Sequence, residues 1–393
     1  LGYVYKRQML NRRRFIQSIA AAATAPALTQ SCNAPARTIA SPGGLRADPD
    51  KILDLPDGFS YRTVSRAGDH MSDGLRVPGA HDGMAAFESR DGRVILITNH
   101  EMNTHWFDGS AFGDQYAELP EQTKSLLYDR GSDKTPALGG TTTTIYNPET
   151  GETEKQYLSL AGTEINCAGG PTPWGSWLSC EECFESPGTS WQFGRQLTRD
   201  QRHGYVFEVA SAAGGLAKPQ PIKAMGRFEH EACAVHDASG TVYMTEDRHH
   251  SLFYRYLPDV TGELQQGGRL QALAIRDQAS LMTHNWSREP ETPLNTPLKT
   301  YWIDLDNVDP VENDLRLRGA ALGAATFARG EGMCNAGDRF AFTCTIGGPA
   351  RIGQVFTYTP SPFEGTPEEQ NLSLIHISEP TRLDLASRMP SSA

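Results

Sequence analysis

Residues 166–182 read Asn-Cys-Ala-Gly-Gly-Pro-Thr-Pro-Trp-Gly-Ser-Trp-Leu-Ser-Cys-Glu-Glu, and their close-set thiol and acids are the types that hold metals. A short apolar strand at Trp177-Leu178 delivers Cys180, Glu181 and Glu182 to one point. Other apolar runs end alike. Residues 93–101 finish at Glu101, and residues 241–248 finish at Glu246, Asp247 and Arg248. Strands that each carry an acid at one end predict a shared anionic pocket. Such a pocket is tolerable only when cations fill it, because unpaired like charges repel and shift toward protonation. The pattern therefore predicts a multi-metal site. Carboxylates suit hard cations such as calcium, and a thiolate among them points to a transition metal as well. The candidate ligands are Glu101, Cys180, Glu181, Glu231, Glu246, Asp247 and Glu331. Each acid alone also reads as a surface or turn residue, and Cys180 as a small buried apolar one; the set carries the inference. His100 and His230 precede two of the acids, as ligands or as partners that orient them. Arg329, close before Glu331, suits bidentate recognition of phosphate.

The elements that must position these groups are strands. Four segments share a polar start, a turn and a β-rich exit; they begin at His81, Cys167, His230 and Gly330. Strands with alternating aromatics follow at 204–209, 252–256 and 354–358, and period-two alternation fits half-buried strands. Repeated antiparallel units with glycine turns predict an all-β, β-propeller-like architecture with inserted loops and helices. A β-sandwich is the competing architecture. Residues 270–295 read as a helix on a loop.

The chain has 393 residues, 38 Gly, 25 Pro and a net charge of −11, enough for one large core or two domains and rich in turns. The acidic balance, without a basic run interleaved with aromatics, excludes nucleic acid as the expected partner. No stretch after residue 40 is apolar for long enough to span a membrane. Arg12-Arg13-Arg14-Phe15 followed by an Ala-rich run predicts a twin-arginine signal over residues 9–36, hence export to the periplasm or beyond, with Cys32 as a lipid-anchor candidate. Residues 1–8 and 373–393 resemble translated sequencing adapter, which predicts a domain over 50–372 and a natural protein that continues past it. Of seven cysteines, Cys334 and Cys344 form either a hairpin disulfide or two free thiols.

These residues resemble the PhoX-type alkaline phosphatases. The resemblance rests on the twin-arginine start, His81-Asp-Gly-Met84, Asn99-His-Glu101, Gly139-Gly-Thr-Thr142, the 166–182 motif, Gly226-Arg-Phe-Glu-His-Glu231, Thr245-Glu-Asp-Arg248 and Arg329-Gly-Glu-Gly332, and it covers about residues 50–360. It implies a propeller of about six blades with the site in its channel, its last blade incomplete in this chain. It also implies Fe3+ with Ca2+, and hydrolysis of a small-molecule phosphomonoester at alkaline pH by a monomer without a protein nucleophile. By the same resemblance Cys180 is an iron ligand, and Glu181 and Glu231 are iron or calcium ligands. Glu331 is a further ligand at the reacting centre beside Arg329, the phosphate contact; Glu101 and Glu246 complete the set. The alternative is a calcium-binding extracellular propeller without phosphatase activity, or a lactonase-like hydrolase. Iron and dependence on Cys180 distinguish the phosphatase.

Overall fold

The structure is a computed structural model that describes residues 44–103, 109–192, 194–287 and 289–378. The adapter-like head, the twin-arginine segment and Cys32 lie outside the described residues, as does the tail beyond residue 378. The chain divides into two compact units, Leu1–Arg66 and Ala67–Ala393. In the described part of the first, Asp48 organises a loop by accepting the amides of Asp50 (3.1 Å), Ile52 (2.9 Å) and Leu53 (3.0 Å) and the Tyr61 hydroxyl (2.6 Å).

The second unit is almost entirely β and propeller-like. Strands β1 (His81–Glu88), β2 (Val94–His100), β3 (Gly139–Asn147) and β4 (Glu152–Thr163) form an antiparallel meander. A second is built from β5 (Asn166–Pro171), β6 (Ser176–Glu181) and β9 (Val206–Ala210), with the hairpin β7 (Gly188–Gln192) and β8 (Arg195–Arg199) inserted. A third runs through β10 (His230–Val235), β11 (Val242–Glu246), β13 (Phe253–Pro258), β14 (Gly268–Ile275) and β15 (Pro297–Asp304). The fourth comprises β17 (Gly330–Asn335), β18 (Phe340–Cys344), β19 (Gln354–Thr359) and β20 (Ser373–Ser378). Pairing of β20 with β15 joins the third and fourth meanders into one nine-stranded sheet. Short strands β12 (His249–Ser251) and β16 (Phe327–Ala328) pair beside them. Among the described residues these are four blade-like units of the about six that the resemblance implies.

The alternating-aromatic segments become β9, β13 and β19, and their rings fill the core. Tyr243, Phe253, Phe327, Phe340, Phe342, Phe356 and Tyr358 form one buried cluster between the third and fourth meanders. Full burial of such a ring contributes about 1.5–3 kcal/mol, so this cluster is a principal bond between the two. Among the described residues no helix lies within 270–295: Leu270, Ala272, Leu273, Ala274 and Ile275 lie in β14, buried on both faces, and a continuous apolar run does not by periodicity separate strand from helix. The six described cysteines are free thiols. Cys334 pairs with Ala341 and Cys344 with Gly330 across β17–β18, so the hairpin disulfide does not form. Segment 373–378, set apart by sequence, lies in β20.

Candidate metal centre

The first strands of the four meanders, β1, β5, β10 and β17, run beside one another in order, and each begins with the same irregularity. The register against the second strand shifts between His81 and Met84, Asn166 and Gly169, His230 and Cys233, and Gly330 and Met333. A bulge bends its strand and re-aims a side chain. The residues so placed are Asp82, Cys167, Glu231 and Glu331. Each second strand returns to the same level: His100 pairs with His81, Glu181 with Asn166, and Glu246 with His230. The next residues, Glu101, Glu182 and Asp247, complete the group.

Side-chain donors of Cys167, Glu182 and Glu231 lie within 4.8 Å of one another. The acids feel each other strongly. Burial, then Glu231 and Asp247, pushes the Glu182 carboxyl up to about 9. Burial and Glu331 raise Glu231 to about 8. Glu331 is raised to about 7 by burial and Asp247, and Glu101 to about 7 by burial and Asp82. Asp82, recessed though solvent-facing, is raised by burial as well. Arg329 supplies one counter-charge: its Nε donates to Asp247 Oδ1 at 2.6 Å and its Nη2 donates to Oδ2. One guanidinium does not neutralise six carboxyl side chains. The donor set, thiol plus carboxylates held against repulsion, fits bound cations.

Glu231, Glu331, Glu101 and Arg329 are brought together as expected, and so is Asp247. Three expected ligands are not. Cys180 is fully buried one residue behind the cluster, where its thiol contacts Cys233. It holds the place that Asn99 and Thr245 hold in neighbouring second strands. Asn99 donates to the Ala168 carbonyl (2.7 Å) and Thr245 to that of Glu331 (2.7 Å), each tying its strand to the next inner strand. Glu181 faces the opposite way, accepting from the amides of Glu164 (2.9 Å), Gly204 (2.8 Å) and Tyr205 (3.1 Å) and from His203 Nδ1 (2.7 Å). His203 Nε2 meets Asp129 at 3.1 Å. Burial would lower His203, but Glu181 and Asp129 outweigh it and raise the imidazole to about 9. With Cys183, Glu181 and His203 also bring metal-type donors within 4.8 Å of one another, but both Glu181 oxygens already accept two hydrogen bonds each. Glu246 is likewise turned into the core, accepting from Leu252 N (3.1 Å) and Tyr254 Oη (2.9 Å). His100 and His230 bond to the carbonyls of Gly79 and Gly226 rather than to the acids.

Asp82, Cys167 and Glu182 take the places assigned to the absent three. Superposing the four repeats would have exposed two of them: His81-Asp82, Asn166-Cys167, His230-Glu231 and Gly330-Glu331 are the same position.

Meanders arranged side by side around carboxylates and a thiol define a propeller-like protein with a metal-binding type of donor cluster. The sequence matches the family alkaline phosphatase PhoX over residues 41–151 and 133–391, and the chain belongs to that family. The fold is similar to that of PhoX from Pseudomonas fluorescens, solved in complex with vanadate, a transition state analogue, with a TM-score of 0.54 and 18% identity over 82% of this chain and 73% of that one. A protein of unknown function from Dyadobacter fermentans aligns with a TM-score of 0.30 and 11% identity over 81% of this chain and 99% of that one. No curated protein matches.

Proposed function

We propose that this protein is an exported, metal-dependent phosphatase that hydrolyses small-molecule phosphomonoesters at alkaline pH. The observation that carries the reading is the approach of Cys167, Glu182 and Glu231 within 4.8 Å, in a chain of the alkaline phosphatase PhoX family. Cys167 with Glu182 and Glu231 would hold iron; Asp82, Glu101, Asp247 and Glu331, all-oxygen donors, would hold calcium. Bound there, the cations supply charge neutralisation of the phosphoryl oxygens and of the attacking oxygen.

The protein's own side chains do the rest. Asp247 fixes Arg329 through Nε and Nη2, so the guanidinium presents Nη1 in a set orientation to a phosphoryl oxygen. Arg329 is 37% exposed at the side chain and so reaches solvent-borne substrate. Thr245 holds the Glu331 carbonyl, and through it the bulge that aims Glu331 inward. Such pre-set charges stabilise the transition state without reorganising as it forms. An alkaline optimum is expected from carboxyls raised to about 7 to 9, whose ionisation readies the donors.

The paired arginines at Arg12-Arg13 support twin-arginine export to the periplasm or beyond. Among the described residues no helix is long and apolar enough to cross a membrane. We assign the protein as a monomer, with Cys32 as the place for any lipid anchor. The test is hydrolysis of a chromogenic phosphomonoester by the full chain at alkaline pH, with and without a calcium chelator. Turnover that the chelator stops is expected; no turnover from folded, calcium- and iron-loaded protein refutes the reading.

A further inference from the structure

A further group of metal-type side chains begins two residues beyond Asp247 in the chain. His284 is 1% exposed, and both its ring nitrogens lack a hydrogen-bond partner in the protein. The Phe327 carbonyl acts on the ring as a weak hydrogen-bond partner would, short of full hydrogen-bond geometry. Leaving a buried polar group unsatisfied costs about 1–3 kcal/mol, so the site calls for something to meet those nitrogens. What faces His284 is another imidazole: the His250 ring centroid is 4.7 Å away at 59°. Trp286 walls the group, 4.5 Å from His284, 5.7 Å from His250 and 6.4 Å from His249.

Adjacent strand residues ordinarily point to opposite faces. His249 and His250 both reach the same tryptophan because the strand is broken between them. His249 pairs with Ala328 and Ser251 with Phe327, leaving His250 as an extra residue in the left-handed region, φ 57°. A non-glycine residue there costs about 1–2 kcal/mol, and strain of this kind concentrates at ligand sites. Among the described residues no carboxylate bonds to any of the three histidines. His249 and His250 are exposed, so their rings are free to turn onto an ion held against His284.

We propose that His284, His250 and His249 form a second, nitrogen-only site for a divalent transition metal of the zinc, nickel or copper class. Imidazole suits these ions, whereas calcium takes oxygen ligands, so the two centres select different metals. Arg351 stacks over Trp286 at 4.5 Å and Trp286 Nε1 donates to the Ile346 carbonyl at 2.7 Å, which fixes the wall. The site does not depend on the phosphatase reading.

The test is calorimetric titration of Ni2+ into the full chain already loaded with iron and calcium. One equivalent is expected to bind in the wild type and in Glu182→Gln, which disables only the carboxylate cluster. His250→Ala and His284→Ala should each weaken it by at least ~100-fold, the upper end of what losing even an orienting partner of a ligand costs. His250 is exposed, so its variant tests the site even where the buried His284→Ala does not fold. Unchanged affinity in His250→Ala, loss of the nickel equivalent in Glu182→Gln, or no nickel binding to the wild type would each overturn the proposal.

Discussion

At the scale of single residues, the two cysteines of the 166–182 motif sit in different surroundings. Cys167 lies in a bulge, 3% exposed, with its thiol beside Glu182 and Glu231 and 3.4 Å from the His230 carbonyl. Cys180 is packed against Cys233 behind it. Cys167→Ser is therefore expected to lose bound iron and at least ~100-fold in turnover, since removing a ligand costs more than removing a partner that orients one. Cys180→Ala removes one buried heavy atom, and should cost about 1 kcal/mol of stability while leaving metal content in place. Elemental analysis of the two purified variants separates them. Iron retained in Cys167→Ser and lost in Cys180→Ala would return the ligand role to Cys180.

At the scale of elements, the site exists because inner strands approach closely enough for their bulge residues to meet. Glycine permits that approach at two places. A Cβ on Gly83 of β1 would lie 2.8 Å from the Ala168 Cα on β5. One on Gly170 of β5 would lie 2.0 Å from the Cys233 carbonyl oxygen on β10. Gly170→Ala must then push β5 and β10 apart, widening the gap between Cys167 and Glu231. Overpacking of this sort costs about 1–3 kcal/mol, and here it also reaches the metal donors. The melting temperature and the metal content should fall together. Gly214→Ala, with nothing within 4 Å of the added carbon, is the control expected to change neither. A Gly170→Ala protein that melts and binds metal like wild type would show that the strands can part without harm.

At the scale of the whole molecule, the carboxylate cluster makes stability depend on pH and on cations together. In the metal-free protein, Glu182, Glu231, Glu331 and Glu101 are raised from 4.5 to about 9, 8, 7 and 7. The folded state thus holds protons that the unfolded chain releases. Stability from this source is complete below about pH 4.5 and is lost as pH rises through the folded values. His203, raised from 6.5 to about 9, acts with the same sign over the upper part of the range. The melting temperature of chelator-treated protein is expected to fall from about pH 5 to about pH 9. Calcium should restore most of it at the alkaline end, since a ligand at 100 times its Kd stabilises the fold by about 2.7 kcal/mol. A flat profile in chelator would mean that the acids are not massed as described.

The amino-acid sequence by itself determined the class of fold and the kind of site. Period-two alternation and glycine turns mark the strands, and repeated acids at strand ends mark the level at which the donors gather. Glu101, Glu231, Asp247, Glu331 and Arg329 were legible in that way. Tertiary structure showed which neighbour faces the cluster: Glu182 rather than Glu181, and Asp247 rather than Glu246, while Cys167 in place of Cys180 was open to a superposition of the repeats. Along a strand a shift of one residue turns a side chain to the opposite face, and a bulge inserts such a shift without leaving a mark in composition. The bulges at His81, Asn166, His230 and Gly330 set the phase of each repeat. His203 settled the fate of Glu181 from 22 positions away, a partnership that no local pattern contains.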